Sequence, residues 1–432
     1  MRWLGIGGVS LVVLASPAAA QQAPAQQIEV TLQDALQRAQ QVQPNMVQAL
    51  GVERNAGASR LTAFGAYLPT LSLNASTGKG NTGRTDPTTG LFIPPVRSYT
   101  GGISASLELF DGFRRIANLR SAGASLDAAG AGVVNQRYQV ALATKQTFYS
   151  ALANEELVRV AQSQVKRAQQ QLQISIDKLH AGSATRSDSL RSTVEYGNAR
   201  IALLQAQANL ATAQANLGRQ IGVDAPVRAV PDTTLPALPD TAALRFTAIQ
   251  SAPQVQQAEA QASAARAQVW SARSQYWPSI TVSYSDNRQG TKSPQFPTFD
   301  NLPDSYSWRF GLSWPLLNGF QREQSQISAS VNRDNAEAQA ADARRGVNAQ
   351  LTQQLAAMAT TYEQIVIARD NLAAATEDLR VQNERYRVGA ATILDLLTSQ
   401  AALTQAEVNL VQTRFNYLIA RAQVEAVVGR TL

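Results

Sequence analysis

Two aspartates stand out as residues able to do charge-based chemistry, because each follows a glycine by six positions in a similar segment. Asp188 lies in KLHAGSATRSDSL and Asp395 lies in RYRVGAATILDLL. The preceding Thr185 and Thr392 complete Thr-x-x-Asp patterns, which are typical of capping boxes that open helices. The alternative role is a cluster of exposed carboxylates that attracts cations. The residues alone leave both interpretations open.

Composition excludes most other chemistry. The 432 residues contain no cysteine and one histidine, His180. These counts exclude disulfide scaffolds, thiolate catalysis, cysteine-based metal sites and imidazole relays. No nucleophile–base pair, paired acids or phosphate loop stands out, so we expect no enzyme, no cofactor and no metal site. The net charge of +7 is modest for 432 residues, and we expect no nucleic-acid partner.

Landmarks recur at a nearly fixed distance along the chain. Gly112 and Gly319 lie 207 positions apart, as do Gly182 and Gly389. The segments Tyr67-Leu68-Pro69 and Tyr276-Trp277-Pro278 lie 209 positions apart, as do two earlier prolines, Pro44 and Pro253. A unit of this length indicates a duplicated domain rather than a solenoid.

We therefore divide the chain into four parts. Residues 21–224 form the first structural repeat, and residues 241–432 form the second. Residues 225–240 contain four prolines and form an extended linker. Residues 1–20 are interpreted as a signal peptide, because Arg2 precedes a short apolar stretch and three small residues, Ala18–Ala20. The mature protein is then expected outside the inner membrane.

The distribution of proline predicts long helices. No proline falls between Pro95 and Pro226 or after Pro315, and apolar residues in these stretches recur at three-four spacing. We predict helix pairs at about 113–222 and 320–428, each a helix of roughly 65 residues, a glycine turn and a return helix of roughly 40. Narrow apolar seams with glutamine-rich flanks are typical of coiled coils.

Between the helices, apolar and polar residues alternate, which predicts strands. We place them at about 70–78, 101–110, 279–286 and 305–314. Such strands are long enough to cross an outer membrane when tilted. The alternative is a soluble sheet with one face on a core. An aromatic girdle at the membrane interface is predicted from four residues in or beside the strands, namely Tyr276, Trp277, Trp308 and Trp314.

Four strands are too few to close a barrel, because about eight is the smallest number. Backbone groups in lipid must all be paired, so we expect several copies to pool their strands. Two copies would give a barrel filled by side chains, whereas three would leave a bore. Small polar residues at the inward positions favour the bore. The sequence thus predicts a mainly α protein with a transmembrane β part and outer-membrane lipid as a partner.

In this order and spacing, the landmarks resemble those of the TolC family of outer membrane factors. The resemblance covers residues 28–429 and rests on the duplication, the YLP and YWP strand entries, the FDGF and NGF junctions, and the two glycine turns. It implies a homotrimer with a 12-stranded β-barrel in the outer membrane and a 12-helix α-barrel in the periplasm. It also implies a passive exit duct for efflux or type I secretion. The implied partners are a periplasmic adaptor protein and an inner-membrane transporter of the RND, ABC or MFS type.

The resemblance also implies roles for residues near the turns. Asp395 matches a constriction aspartate of the family, Asp188 would contribute the equivalent carboxylate of the first repeat, and Thr398 replaces a second acid. Tyr386 matches a tyrosine that latches neighbouring helices, but Ala391 replaces the expected arginine. Substitute latch residues would be three arginines, Arg186, Arg191 and Arg387. The expected adaptor contacts are the turn residues Gly182, Ser183, Thr185, Gly389, Ala390 and Thr392.

Two other functional classes remain as alternatives. The first is a soluble periplasmic or extracellular coiled-coil structural protein, which requires the strand hairpins to be water-soluble. The second is a secreted enzyme, which the absence of a catalytic constellation disfavours. Extraction of membranes with carbonate separates the duct from the soluble protein, because a membrane duct stays in the pellet.

Overall fold

The computed structural model describes residues 28–80, 83–93, 96–231, 235–240, 244, 251–295 and 300–432. The expected signal peptide at 1–20 lies outside these residues. The regular elements follow the chain in the order β1 (Ile28–Val30), α1 (Leu32–Val42), α2 (Pro44–Gly65), β2 (Thr70–Lys79), β3 (Arg84–Thr85), β4 (Phe92–Ile93), β5 (Arg97–Phe110), α3 (Arg114–His180), α4 (Arg186–Ile221), β6 (Val227–Ala229), α5 (Pro253–Arg273), a 3-10 turn (Ser274–Tyr276), β7 (Ser279–Gly290), β8 (Asp304–Ser313), α6 (Gln321–Arg387) and α7 (Ile393–Val428).

One succession of elements occurs twice along the chain. Helices α2 and α5 both begin at a proline, Pro44 and Pro253, whose missing N–H is not needed in the first turn of a helix. Each is followed by a strand hairpin, a helix of 67 residues and a return helix of 36 residues. The predicted fold class, a duplicated unit of short helices, a β-hairpin and a long helix pair, is confirmed.

The long helices pack as coiled coils. Buried residues of α3 recur at intervals of seven, as in Ala161, Ala168 and Ser175, which is the spacing of a coiled-coil seam. With a rise of 1.5 Å per residue, α3 and α6 each extend about 100 Å. Helix α3 packs along α4, α5 and α7, and so joins the two repeats. Among the described residues, no helix combines the length and apolar character needed to cross a membrane.

The main sheet contains both hairpins in the antiparallel order β2-β5-β7-β8. Ala105 of β5 pairs with Tyr284 of β7, so the two hairpins form one sheet of four strands. Strand β2 is exposed along its whole length, and Phe310 of β8 is 73% exposed. Within the described part of the chain, no core therefore lies beneath these edge strands, which contradicts the alternative of a soluble sheet with one buried face.

The largest apolar clusters lie where the ends of the helix pairs meet the linker. Tyr417 and Met358 are fully buried in one cluster, and Phe148 and Leu217 are buried in the other. Strands β1 and β6 form a short parallel pair at the second cluster. The expected linker at 225–240 therefore contains a short strand, and its described part is also held by the Tyr417 hydroxyl, which donates to the Pro236 carbonyl over 3.0 Å.

Candidate functional site at the helical tip and the strand sheet

The turns between the long and return helices form the end of the helical part, here called the helical tip (Lys178–Asp188 and Arg385–Asp395). Gly182 has a φ of 71° and Gly389 a φ of 79°, which is the left-handed region that glycine adopts without strain. Ser183 N–H donates to the Lys178 carbonyl, and Ala390 N–H donates to the Arg385 carbonyl, each over 2.8 Å. This is the Schellman pattern of helix termination, and it explains why each turn requires glycine.

Both predicted capping boxes are present. Asp188 N–H donates to Thr185 Oγ1 over 3.2 Å, and Thr185 N–H donates to Asp188 Oδ2 over 2.9 Å. Thr392 and Asp395 make the same pair of bonds over 3.3 Å and 2.9 Å. Each box satisfies backbone groups that the first turn of the return helix would otherwise leave unpaired. The capping interpretation of Thr-x-x-Asp is therefore confirmed.

Hydrogen bonds donated by the two threonines stabilise the charged form of both carboxylates. Hydrogen bonds from the backbone and then the hydroxyl of Thr185 lower the pKa of Asp188 below its ordinary value of 3.8. The backbone and then the hydroxyl of Thr392 lower the pKa of Asp395 in the same way. Thr398, one turn beyond Asp395, donates its hydroxyl to the Leu394 carbonyl over 2.9 Å and adds no charge. The tip thus presents negative charge in each repeat.

A lysine at the end of α3, Lys178, lies over Tyr386. Lys178 Nζ is 3.9 Å from the centre of the Tyr386 ring and donates to its carbonyl oxygen over 2.6 Å. This contact joins the end of α3 to the end of α6, and hence the first repeat to the second. Among the expected latch arginines, Arg387 pairs with Glu384 over 3.1 Å. The positive charge of Arg191 contributes to the lowered pKa of Asp188.

The distance of 207 positions between the two repeats could have pointed to this lysine. Moving Tyr386 back by 207 positions gives Leu179, so Lys178 stands at the level of Tyr386 in the other long helix. The direction of its side chain, however, depends on the rotation of α3 against α6.

Buried polar side chains lie further along the helix pairs, and sequence reasoning missed them. Ser192 hydrogen-bonds to Ser175 over 2.9 Å, and Ser399 donates to Asp378 over 2.6 Å. Ser192 and Ser399 are 207 positions apart, so the same position bridges the helices in both repeats. A polar residue at a seam position is the signal that could have revealed them, because such residues fix the register of coiled coils.

The sheet has one polar and one apolar face. Ser72 and Ser104 hydrogen-bond over 2.7 Å, and Ser285 and Ser307 over 2.9 Å. Because Ser104 pairs with Ser285, these serines form one row across all four strands. The opposite face carries large exposed apolar residues, among them Leu71, Leu73, Trp308, Phe310 and Leu312. A sheet of this kind suits a boundary between water and lipid.

The four predicted girdle residues lie at two levels. Three lie where β7 begins and β8 ends. Trp314 Nε1 donates to the Tyr276 carbonyl over 3.3 Å, the Arg322 guanidinium lies 4.8 Å from the Tyr276 ring centre, and Trp277 is 56% exposed. Trp308 lies further up β8, with its ring centre 4.8 Å from that of Tyr284. The first three are therefore brought together, and Trp308 is not.

A metal centre is not formed by the described residues. Across the described ranges, no group of three or more His, Cys, Asp and Glu side chains is arranged to hold a metal ion. The chemistry of the tip and of the sheet is therefore that of charge, hydrogen bonding and apolar surface.

Curated relatives are similar to most of the chain. Protein CyaE of Bordetella pertussis is 27% identical over 352 residues, which cover 78% of this chain and 70% of CyaE. Outer membrane efflux protein BepC of Brucella suis is 23% identical over 374 residues, 85% of this chain and 78% of BepC. Cobalt-zinc-cadmium resistance protein CzcC of Cupriavidus metallidurans is 24% identical, with 78% of each chain covered.

Solved structures share the fold. The CmeC outer membrane channel of Campylobacter jejuni superposes with a TM-score of 0.79 at 16% identity, over 92% of this chain and 85% of CmeC. The outer membrane protein VceC of Vibrio cholerae also gives 0.79, at 18% identity, over 93% and 96%. The model of the outer membrane efflux protein family matches residues 18–223 and 244–430. The chain therefore belongs to the outer membrane efflux protein family and is a channel of the outer membrane with a helical tunnel in the periplasm, rather than an enzyme.

Proposed function

We propose that three copies of this chain form a passive exit duct, with a 12-stranded barrel in the outer membrane and a 12-helix tunnel in the periplasm. The observation that carries the proposal is the four-stranded sheet whose outer edges, on β2 and β8, have no strand partner within the described residues. In lipid those edges must be paired. Twelve strands close the sheet and leave a bore, which the serine row would line.

The duct works as the outer part of an export system. Protein BepC is named for efflux and CzcC for resistance to cobalt, zinc and cadmium, and these names support an export role here. A periplasmic adaptor and an inner-membrane transporter would supply cargo and energy. The adaptor would contact the tip at the two exposed turns, whose members are Gly182, Ser183, Thr185, Gly389, Ala390 and Thr392. Glycine there allows close approach of a partner helix.

The tip would select ions by the sign of their charge. One Asp188 and one Asp395 per copy give six carboxylates around the opening of a trimer, in addition to their capping roles. Their lowered pKa values keep them ionised at neutral pH. A ring of carboxylates in a narrow opening concentrates cations. Because Thr398 replaces a second acid, this ring would contain fewer carboxylates than a double acidic ring.

The tip would be held closed by a contact between repeats at Tyr386. The Lys178 contact supports this latch, because it links α3 to α6 beside the opening. Further latch contacts would form only between neighbouring copies, through the three arginines Arg186, Arg191 and Arg387.

The experiment is expression of the tagged chain with fractionation, carbonate washing and reconstitution. We expect a trimer that stays in the outer-membrane pellet and conducts ions in planar bilayers. Recovery in the carbonate supernatant as a non-conducting coiled coil would contradict the duct and favour the soluble structural protein. Cross-linking in cells, followed by identification of the captured proteins, tests for the adaptor and the transporter.

A further inference from the structure

We propose that the outer surface of the helices next to the sheet binds phospholipid headgroups of the inner leaflet of the outer membrane. This surface is here called the helical collar. Its members are Leu61 of α2, Ile116 and Arg120 of α3, Trp270 and Arg273 of α5, and Ile327 of α6. The proposal extends the lipid contact of the channel from its strands onto its helices, and it rests on the location of the channel in the outer membrane.

Large apolar side chains are exposed on the helices where they meet the sheet. Leu61 is 71% exposed, Trp270 is 65% exposed and Ile327 is 64% exposed. Among the described residues of α6, the next exposed large apolar side chain after Val331 is Val366, about 50 Å further from the sheet. Exposed apolar surface that is concentrated in one region in this way is typical of a binding surface.

The exposure of Trp270 does not result from the absence of a neighbouring copy. Helix α5 lies between α3 and α6 of the same chain. Ser271 donates to Asn118 of α3, and Arg266 pairs with Glu337 of α6 over 2.6 Å. Both flanks of α5 are therefore covered within one copy, and Trp270 lies on the exposed side between them.

The collar lies on the outer side of the tunnel wall. Gln261 and Gln268 of α5 line a groove together with residues of α2 and α3. A groove that spans three adjacent helices lies on the concave, inner side of a helical tube. Trp270 follows Gln268 by two positions, which is about 200° around a helix. Its side chain therefore points to the opposite, outer side.

Helix α3 leads to the same conclusion. Arg120 precedes Phe148 by four heptads and Glu155 by five, so the three residues share one face of the coiled coil. Phe148 packs in the cluster of the linker strands, and Glu155 pairs with Arg228 of β6 over 2.8 Å. Gly132, which lines the groove, lies about four and a half turns before Phe148 and hence on the opposite face. Arg120 is therefore on the side of the linker and away from the bore.

The position of the collar identifies lipid as its occupant. Trp270 precedes Tyr276 by six positions, about 9 Å along the helix. Trp314 at the end of β8 donates to the Tyr276 carbonyl, so this level is where the apolar face of the sheet ends. The headgroup region of one leaflet is about 5–8 Å thick, and interfacial helices bury their apolar side chains about 5–10 Å deep. The collar is therefore continuous with the lipid-facing surface of the sheet.

The two arginines of the collar fit the phosphates of the headgroups. The Arg273 guanidinium lies 5.6 Å from the centre of the Trp270 ring, so an aromatic face and a cation are presented together. Within the described ranges, neither Arg120 nor Arg273 has a carboxylate at ion-pair distance. Exposed tryptophan and aliphatic side chains beside arginine are typical of surfaces that bind anionic lipid.

Spin labels measure the depth of the collar directly, because the chain contains no cysteine of its own. Trp270→Cys carries a nitroxide in vesicles of phosphatidylethanolamine and phosphatidylglycerol. Its relaxation by oxygen, which concentrates in lipid, is compared with its relaxation by a nickel chelate, which stays in water. Ser263→Cys is the matched control on the same face, about 10 Å further from the sheet. Gln268→Cys reports the groove side, and Phe310→Cys reports insertion of the sheet itself.

We expect the ratio of oxygen to nickel relaxation to fall from Phe310 through Trp270 to Ser263, with Gln268 close to Ser263. A lipid-like ratio at Phe310 with a water-like ratio at Trp270 would overturn the collar and leave the channel intact. The occupant of this surface would then be a protein. A water-like ratio at both Phe310 and Trp270 would overturn the inserted sheet together with the collar.

Lipid selectivity tests the arginines. The fraction of motionally restricted lipid is measured with spin-labelled phosphatidylglycerol and phosphatidylcholine. Arg120→Gln/Arg273→Gln should lower the preference for phosphatidylglycerol by up to about fivefold for each arginine, and 1 M salt should abolish the difference between variants. Arg200→Gln/Arg369→Gln removes two exposed arginines of α4 and α6 and is the matched control. Equal preferences in the two double variants would overturn the assignment of the phosphate contacts to the collar.

Discussion

The ammonium group of Lys178 lies 3.9 Å from the centre of the Tyr386 ring and donates to the Tyr386 carbonyl oxygen. We predict that Lys178→Met favours the open tip, because the apolar side chain removes a cation–π contact of about 0.5–2 kcal/mol. This corresponds to an increase of about 2-fold to 30-fold in the ratio of open to closed channels. Single-channel recording in planar bilayers measures that ratio.

Two further variants separate this contact from general effects of charge. Lys166→Met removes an exposed lysine from the same helix and should leave the open fraction unchanged. Lys178→Arg keeps a cation near the ring and should lie close to the unmodified chain. Equal open fractions for Lys178→Met and Lys166→Met would show that the contact does not hold the tip.

The capping boxes predict a dependence of tip stability on pH. The folded state lowers the pKa of Asp188 and Asp395 below 3.8. Their contribution is therefore complete above the ordinary value and is lost as the pH falls through the lowered one. Hydrogen exchange at residues 186–189 and 393–396, corrected for intrinsic rates, should stay constant from about pH 7 to 5 and accelerate below about pH 3.8.

Removing one cap should loosen one return helix only. We predict that Thr185→Ala speeds exchange at residues 186–189 about fivefold, because a lost N-cap costs about 1 kcal/mol. Thr392→Ala should act in the same way at residues 393–396. Each variant serves as the control for the other, and an exchange rate that rises at both tips in either variant would contradict independent capping.

The proposed carboxylate ring predicts a loss of cation preference. The double variant Asp188→Asn/Asp395→Asn should lower the ratio of potassium to chloride permeability several-fold at low salt, because the ring loses its field. The difference should shrink in 1 M salt, where charges are screened within about 3 Å. Asp342→Asn, which removes a side chain that is 79% exposed on α6, is the control. Reversal potentials that do not change in the double variant would count against the ring.

A partly buried ion pair between Lys145 and Glu425 joins α3 to α7, and Leu432 N–H also donates to Glu425 over 3.1 Å. We predict that Glu425→Gln destabilises the chain by about 3 kcal/mol, because Lys145 is left without its counter-charge. The double variant Lys145→Met/Glu425→Gln should recover most of that loss. Urea unfolding in detergent, followed by circular dichroism, measures both.

An exposed pair provides the comparison for this ion pair. Glu377 and Arg380 are within 2.7 Å of each other, with both side chains more than half exposed. Glu377→Gln should have little effect, since water screens such pairs. Similar losses for Glu377→Gln and Glu425→Gln would contradict a special contribution from burial.

Much of the fold could be predicted because its determinants are local. The period of apolar residues separates helix from strand, the prolines bound the helix pairs, and Gly182 and Gly389 mark turns that need a left-handed residue. The capping boxes were visible for the same reason, since Thr185 and Asp188 are three positions apart. Comparison of the two halves of the chain revealed the duplication.

The candidate site was less predictable because its contacts join distant segments. Three arginines near the turns were plausible partners for Tyr386, yet Lys178 lies over the ring. The charge of these side chains is similar, and the rotation and stagger of α3 against α6 decide which one reaches the ring. The bond between the buried Ser399 and the exposed Asp378 was missed for the same reason.

The sequence by itself determined the repeats, the long helices, their turns and caps, and the alternating strands, because each depends on residues a few positions apart. Only the tertiary structure decided that both hairpins join in one sheet, that Lys145 meets Glu425, and that Lys178 meets Tyr386. These contacts join residues that are far apart in the chain, and their geometry follows from the packing of whole elements.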